Sequence, residues 1–220
     1  MKLHWSPRSP FVRKVVIVAY ETGLHSRIRL VRTPVSAIEP NRTLMGENPL
    51  SKIPTLVADD GTPIYDSRVI CEYLDTLHAG PPLFPKAPAE GLTALRWQAL
   101  GDGMLDFLVL WLGERNRASE LQSAPHLAAW QAKLAACLET LEKQAADLHS
   151  TRFGIGQIAI GTALCYLDFR FASELWRTHA PALAAWHAGF AARPSVRATV
   201  PVDDTADPIS PPPDLALPVP

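Results

Sequence analysis

Long uncharged apolar runs are missing from this sequence. No such stretch reaches the roughly 18 residues that a bilayer-spanning helix needs. The opening MKLHWSPRSP lacks the apolar core of a secretion signal. A membrane-bound or exported form is not expected, and the cytoplasm is the expected location. Cysteine is scarce: Cys71, Cys137 and Cys165 lie far apart with no CxxC spacing, which reads as free thiols in a reducing compartment and not as a disulfide frame or a zinc site. The 7 histidines are scattered without an HExxH pattern, so no metal is expected. Neither charge sign is in excess, with 21 basic against 22 acidic residues. That argues against a dedicated nucleic-acid partner, which needs a basic surface. No dinucleotide or Walker-type glycine loop occurs, and Gly154-Ile155-Gly156 does not qualify as one.

What the chain does have is enough apolar side chain, 47% of 220 residues, for a packed core in one large or two small domains. The first part mixes strands and helices. Lys2 to Trp5 reads as a short strand. Ser9-Pro10 opens a helix with Val12, Val15, Val16 and Ala19 on one face, and Gly23 ends it. Arg27 to Val31 alternates charged and apolar residues, as a half-exposed strand does. A polar, proline-bearing stretch from Thr33 to Asn48 follows. Thr55–Ala58 and Pro63–Tyr65 flank Asp59-Asp60-Gly61, a hairpin signal. Asp66-Ser67 then cap a helix whose face is Ile70, Tyr73, Leu74 and Leu77. A crossover helix after the first strand implies a parallel pair, and the hairpin adds an antiparallel edge.

The proline-rich break Gly80-Pro81-Pro82-Leu83-Phe84-Pro85 reads as a linker, and beyond it strand signals vanish. A long helix opens at Pro88-Ala89-Glu90 and carries Leu92, Leu95, Leu100, Met104, Leu108 and Leu112. A second opens at Ser123-Ala124-Pro125 and runs through Leu127, Trp130, Leu134, Leu138, Leu141, Ala145 and Leu148. Gly154 to Phe171 reads as a buried helix, and Pro181 to Ala192 as a last one with Leu183, Trp186 and Phe190 inward. From Pro201 the chain is Pro/Asp-rich and is expected to be disordered or to hug the surface. The expected division is residues 1–79, a linker at 80–88, a helical region over 89–200 and a tail over 201–220.

Three segments could carry chemistry. In Ser6-Pro7-Arg8-Ser9-Pro10-Phe11-Val12-Arg13-Lys14, Ser9 falls at a helix N-cap and Pro10 at the first helical position. Read plainly, this is a capped helix. A hydroxyl there, just after a strand, also stands at the positive end of the helix dipole, where an anion such as a thiolate is stabilised. In Asn48-Pro49-Leu50-Ser51-Lys52-Ile53-Pro54-Thr55-Leu56, Pro54 directly precedes a strand. Either an ordinary turn or a cis bond that turns the Ile53 backbone outward fits. In Asp66-Ser67-Arg68-Val69-Ile70, a carboxylate, a hydroxyl and helix N–H groups together suit a zwitterion.

The order and spacing of SPRSPFVRK, NPLSKIPTL and DDGTPIYDSRVICEYLD resemble the glutathione transferase superfamily, in particular bacterial members with an SPFVRK-type first helix. The resemblance spans about residues 1 to 200. It implies an α/β thioredoxin-like N-terminal domain plus an all-α helical C-terminal domain. It implies glutathione as co-substrate, with Ser9 activating its thiol. Ile53, ahead of a cis Pro54, would pair with the cysteinyl unit, Lys52 would reach the glycyl carboxylate, and Asp66 and Ser67 would hold the γ-glutamyl end. A small hydrophobic electrophile would lie near Trp5, Arg8, Met104, Phe107 and Trp111. A homodimer is implied, meeting through Thr62–His78 and the first long helix.

Two departures stand out. Ser9 is not cysteine, so mixed-disulfide chemistry is disfavoured. The Ser/Thr-x-x-Asp cap usual for the buried helix is replaced by Gly154-Ile155-Gly156-Gln157, a loss of about 0.5–2 kcal/mol if nothing takes its place. Other readings stay open at this point: a glutathione-dependent peroxidase, lyase or isomerase, or a non-catalytic interaction module on the same fold. His4 is expected to be structural, and Arg115-Asn116-Arg117 to be a solvated helix end or else the edge of an acidic-substrate pocket.

Overall fold

A computed structural model describes residues 1–171 and 175–204. The chain divides into two compact units, which part between Gly91 and Leu92. Of the described residues, 194–204 belong with the first unit, whereas the sequence pattern places 194–200 with the helical region.

The first unit is built on a four-stranded sheet in the order β2-β1-β3-β4, formed by β1 (Lys2–Trp5), β2 (Arg29–Arg32), β3 (Thr55–Val57) and β4 (Pro63–Ile64). β1 runs parallel to β2, with Trp5 opposite Arg32, and antiparallel to β3, with His4 opposite Thr55. β4 runs antiparallel to β3, with Ile64 opposite Leu56. The hairpin tip uses Gly61 at φ +88°, a backbone conformation that glycine enters at no steric cost. β2 starts two residues later than the alternation predicts, because His25–Arg27 forms a 3-10 turn first. It is an edge strand, and Leu30 is accordingly exposed.

Helix α1 (Pro10–Glu21) is capped by Ser9, and α3 (Ser67–Asp75) by Asp66. They pack against each other. The single apolar face expected of α1 is too narrow. Val16 is only half-buried, while Arg13, Lys14, Ile17 and Val18 are buried along with Val12, Val15 and Ala19. The extra cover comes from the end of the chain. Arg13 Nη2 donates to the Val196 carbonyl at 3.2 Å, from the short helix at Pro194–Arg197, which packs on α1. The polar, proline-bearing stretch from Thr33 to Asn48 contains a one-turn helix, α2 (Arg42–Met45). Asn41 caps it by accepting from the Leu44 N–H, and Leu44 is buried beneath it.

The second unit is helical throughout its described residues, with α4 (Pro88–Arg115) entering it at Leu92. Leu92 and Leu95, expected to be core, are exposed. The buried stripe of α4 runs instead through Ala94, Trp97, Gly101, Met104, Leu105 and Leu108. The second predicted helix breaks at Gln144 into α5 (Ala124–Lys143) and α6 (Ala145–Ser150), with its expected leucines inward from Leu134 onward. α7 (Ile155–Phe171) is buried nearly all round and α8 (Pro181–Ala191) packs on it. α7 approaches α4 so closely that a Cβ on Gly101 would lie 2.5 Å from the Ala159 carbonyl carbon. Arg115 does not end in solvent: its guanidinium lies over the Phe171 ring at 4.9 Å.

The missing cap of α7 has a replacement. Gly154 stands at the N-cap, and Gln157 Oε1 accepts its N–H at 3.1 Å. Gln157 Nε2 donates to Thr151 Oγ1 and the Arg152 carbonyl at 3.3 and 3.1 Å. This is the returning half of a capping box, made by the third helical residue without the hydroxyl that usually reciprocates. Gln157 is 3% exposed, so its removal would leave a buried N–H unpaired. Gln157→Ala is expected to lower stability by about 1–3 kcal/mol, read as a fall in the urea midpoint. An unchanged midpoint would show that the cap carries no weight.

Candidate functional site

Strand directions bring the three sequence segments to one end of the sheet. β1 ends there at Trp5, and α1 starts a few residues on at Ser9. β3 begins there at Thr55, antiparallel to β1, so Ile53-Pro54 arrive at the same end. β4 ends there at Ile64, antiparallel to β3, so Asp66-Ser67 follow at that end as well. Ligands of open α/β sheets bind outside the carboxyl ends of the parallel strands, and here that is the end of β1 and β2.

Ser9 is half-exposed. Its Oγ accepts from the Val12 N–H at 3.3 Å, which leaves the hydroxyl proton available to a group outside. Pro10 occupies the first helical position, where its missing N–H costs nothing. Ile53–Pro54 is a cis peptide. Pro54 is buried, Ile53 half-buried and Lys52 exposed. Asp66 is exposed and its Oδ1 accepts from the Arg68 N–H at 2.9 Å, while Ser67 is buried at 2% exposure. Of the residues expected on the electrophile side, Trp5 and Arg8 are half-buried at this end of the first unit. Met104, Phe107 and Trp111 belong to α4 in the second unit. Met104 is fully buried, Phe107 is half-buried and Trp111 packs on Phe171 with ring centroids 5.1 Å apart.

The loop ahead of Pro54 is held by a residue that the sequence reading treated only as part of a motif. Asn48 is 1% exposed. Its Nδ2 donates to the Lys52 carbonyl at 3.1 Å and to Thr55 Oγ1 at 2.9 Å, and its Oδ1 accepts from the Leu50 N–H at 3.0 Å. Thr55 Oγ1 in turn donates to the Lys52 carbonyl at 2.8 Å. Ser51 takes a φ of +52° in this loop, and its Oγ accepts from the Asn41 N–H at 2.8 Å. Asn-Pro in a loop is an ordinary turn signal, so its side chain's span of seven residues was not visible beforehand.

His4 is structural, as expected. Its Nδ1 is 2.7 Å from Thr33 Oγ1 and its Nε2 2.8 Å from Glu47 Oε2. Glu47 Oε1 also takes Lys2 Nζ at 2.5 Å. The Lys2 hydrogen bond is the main cause that holds the Glu47 carboxyl below its ordinary range, against desolvation and with help from His4. Among the described residues, no group of acidic, histidine or cysteine side chains is arranged to hold a metal ion.

The family model of the glutathione S-transferase N-terminal domain matches residues 8–77, and that of the C-terminal domain matches residues 124–189. An uncharacterized GST-like protein of Escherichia coli K12, YibF, is 32% identical over 185 residues, covering 83% of this chain and 90% of its own. A glutathione transferase family member of Pseudomonas fluorescens Pf-5, solved with bound glutathione, is 40% identical. It superposes with a TM-score of 0.88 over 91% of this chain and 98% of its own. A structure of a family member from the same organism with bound S-(propanoic acid)-glutathione is 39% identical, with a TM-score of 0.84 over 92% and 100%. The chain belongs to the glutathione S-transferase superfamily and has its thioredoxin-like front and helical back.

The ion-paired Glu47 makes stability depend on acid pH. A carboxyl whose folded pKa is depressed adds stability that is present above its unfolded pKa and lost as pH falls through the folded value. Stability should therefore decline from about pH 4.5 downward, and the decline should be shallower in Glu47→Gln. Thermal melts from pH 6 to pH 3 check this; parallel acid limbs for the two proteins would refute it.

Proposed function

We propose that this chain is a glutathione transferase that activates the thiol of glutathione at Ser9 for attack on a small hydrophobic electrophile. The observation that carries this reading is the half-exposed Ser9 hydroxyl at the N-cap of a 12-residue helix, at the sheet end where the Ile53–Pro54 turn and Asp66 also arrive. A free thiol ionises with a pKa of about 8.5 and needs help at neutral pH. The Ser9 O–H donates a hydrogen bond to the sulfur, and the helix dipole favours the anion. The Ile53 backbone pairs with the cysteinyl unit, Lys52 takes the glycyl carboxylate, and Asp66 takes the γ-glutamyl ammonium with Ser67 beside it. The thiolate forms a carbon–sulfur bond as the electrophile's leaving group departs with its electron pair. The gain comes from ionisation and from proximity. Bound glutathione and a bound S-substituted glutathione in the two Pseudomonas structures support the choice of ligand. A cytosolic setting suits three free cysteines.

Ser9→Ala should lower kcat by about ten- to a hundredfold or more while changing the calorimetric glutathione Kd only slightly. Equal turnover in the mutant would remove Ser9 from its role. No heat with millimolar glutathione on the native chain would overturn the reading itself.

The protein is proposed to act as a homodimer. Val69 on α3 is 51% exposed, and Leu92 and Leu95 on α4 are 62% and 51% exposed, apolar surface of the kind that a partner copy covers. Light scattering at micromolar protein should return twice the chain mass; a monomer would contradict it.

A further inference from the structure

The start of α1 and the end of β2 carry two cations that converge on one carboxylate. Arg8, next to Ser9, brings its Nε to 2.9 Å from Asp204 Oδ1, a charge contact whose N–H is not aligned for a hydrogen bond. Its Nη1 lies 4.0 Å from Asp203 Oδ1. Arg32, which closes β2 opposite Trp5, reaches the other oxygen, with both Nε and Nη2 at 2.8 Å from Asp204 Oδ2. The arginine hydrogen bond is the main cause that keeps the Asp204 carboxyl below its usual range, opposed by desolvation and aided by the charges of Arg32 and Arg8. Both arginines stand at the carboxyl end of the parallel pair, where the candidate site is.

Some of the contacts that hold the acidic segment there are long or open to water. The Val202 N–H donates to the Pro7 carbonyl at a long 3.4 Å, and Val200 and Val202 are 62% and 57% exposed. The side chains of Arg8, Arg32 and Asp204 remain 32%, 38% and 31% exposed. Ion pairs this open to water contribute at most about 1 kcal/mol each, so another carboxylate can take the place of Asp204. A fork of two guanidinium groups is suited to that exchange, because its donor geometry matches a carboxylate whatever chain carries it. A mere latch for the chain end would work equally well anywhere on the first unit. This one lies on the residue next to Ser9.

We infer that Arg8 and Arg32 form an anion site beside Ser9 that takes a carboxylate borne by the electrophile, and that Asp204 fills this site until substrate displaces it. The inference rests on the glutathione reading above and narrows its substrate class to hydrophobic electrophiles that also bear a carboxylate, with their uncharged counterparts disfavoured.

The test is calorimetric, with glutathione, S-(para-carboxybenzyl)glutathione and S-(para-carbamoylbenzyl)glutathione titrated into the native chain, D203N/D204N and R8Q/R32Q. In D203N/D204N the carboxylate conjugate should bind about fivefold more tightly than in the native chain, the factor that one exposed ion pair commands, with the amide conjugate unchanged. R8Q/R32Q should bind the two conjugates alike while keeping the native glutathione Kd, which also reports that it is folded. If D203N/D204N shifts both conjugates equally, or R8Q/R32Q still prefers the carboxylate, the anion site is refuted while the glutathione reading survives. If glutathione itself gives no heat, both fall together.

Discussion

β1 pairs in two directions at once, parallel to β2 and antiparallel to β3, and the candidate site follows from that pairing. The parallel partner requires α1 as a crossover, so the chain must turn sharply after Trp5 and enter a helix whose N-terminus stands at the sheet end. The antiparallel partner brings the residues ahead of β3 to that same end. A helix dipole, a hydroxyl and a turn with a cis peptide thus arrive at one sheet end without any one of them being specialised. The strand pairing of β1 orders them, while Ser9 and Ile53 are left half-exposed and Lys52 and Asp66 exposed. The proposed site thus lies at the rim of the sheet.

The loop and the chain end supply what the sheet alone does not. Asn48 ties three backbone and side-chain groups of the Leu50–Thr55 segment to one buried amide, so the approach to Pro54 has a defined course. The segment from Pro194 covers α1 through Arg13 and Val196 and then lays Asp204 on Arg8 and Arg32. The first of these contacts is buried and structural. The second is solvated and exchangeable. Residues of one short stretch therefore serve the core and the site by different physics: desolvated hydrogen bonding in one case, and screened charge attraction in the other.

In the second unit the helices are separated by little more than backbone at Gly101, and the helix most deeply buried is capped by Gln157 from inside its own first turn. A glutamine can do this because its amide offers an acceptor to the Gly154 N–H and donors to the preceding loop at once. A deviation from the familiar cap pattern is here a change of residue with the hydrogen bond retained.

The sequence by itself determined the elements whose signals are local. Ser9-Pro10 opens α1, Asp66 caps α3 and Asp59-Asp60-Gly61 turns the hairpin, because capping and positive φ depend on a residue and its near neighbours. It also carried the order of the three site segments, and with it the family resemblance. Of the tail over 201–220, read as disordered or surface-hugging, residues 205–220 lie outside the described residues. Only the tertiary structure decided which face of α4 is buried, since Leu92 and Leu95 carry the same apolar signal as the core leucines and differ only in what lies against them. The tertiary structure alone also gave α1 its second covered side, Asn48 its reach and Asp204 its two arginines. Each of these joins groups that strand order or chain return brings together across the sequence, and no local pattern records such a meeting.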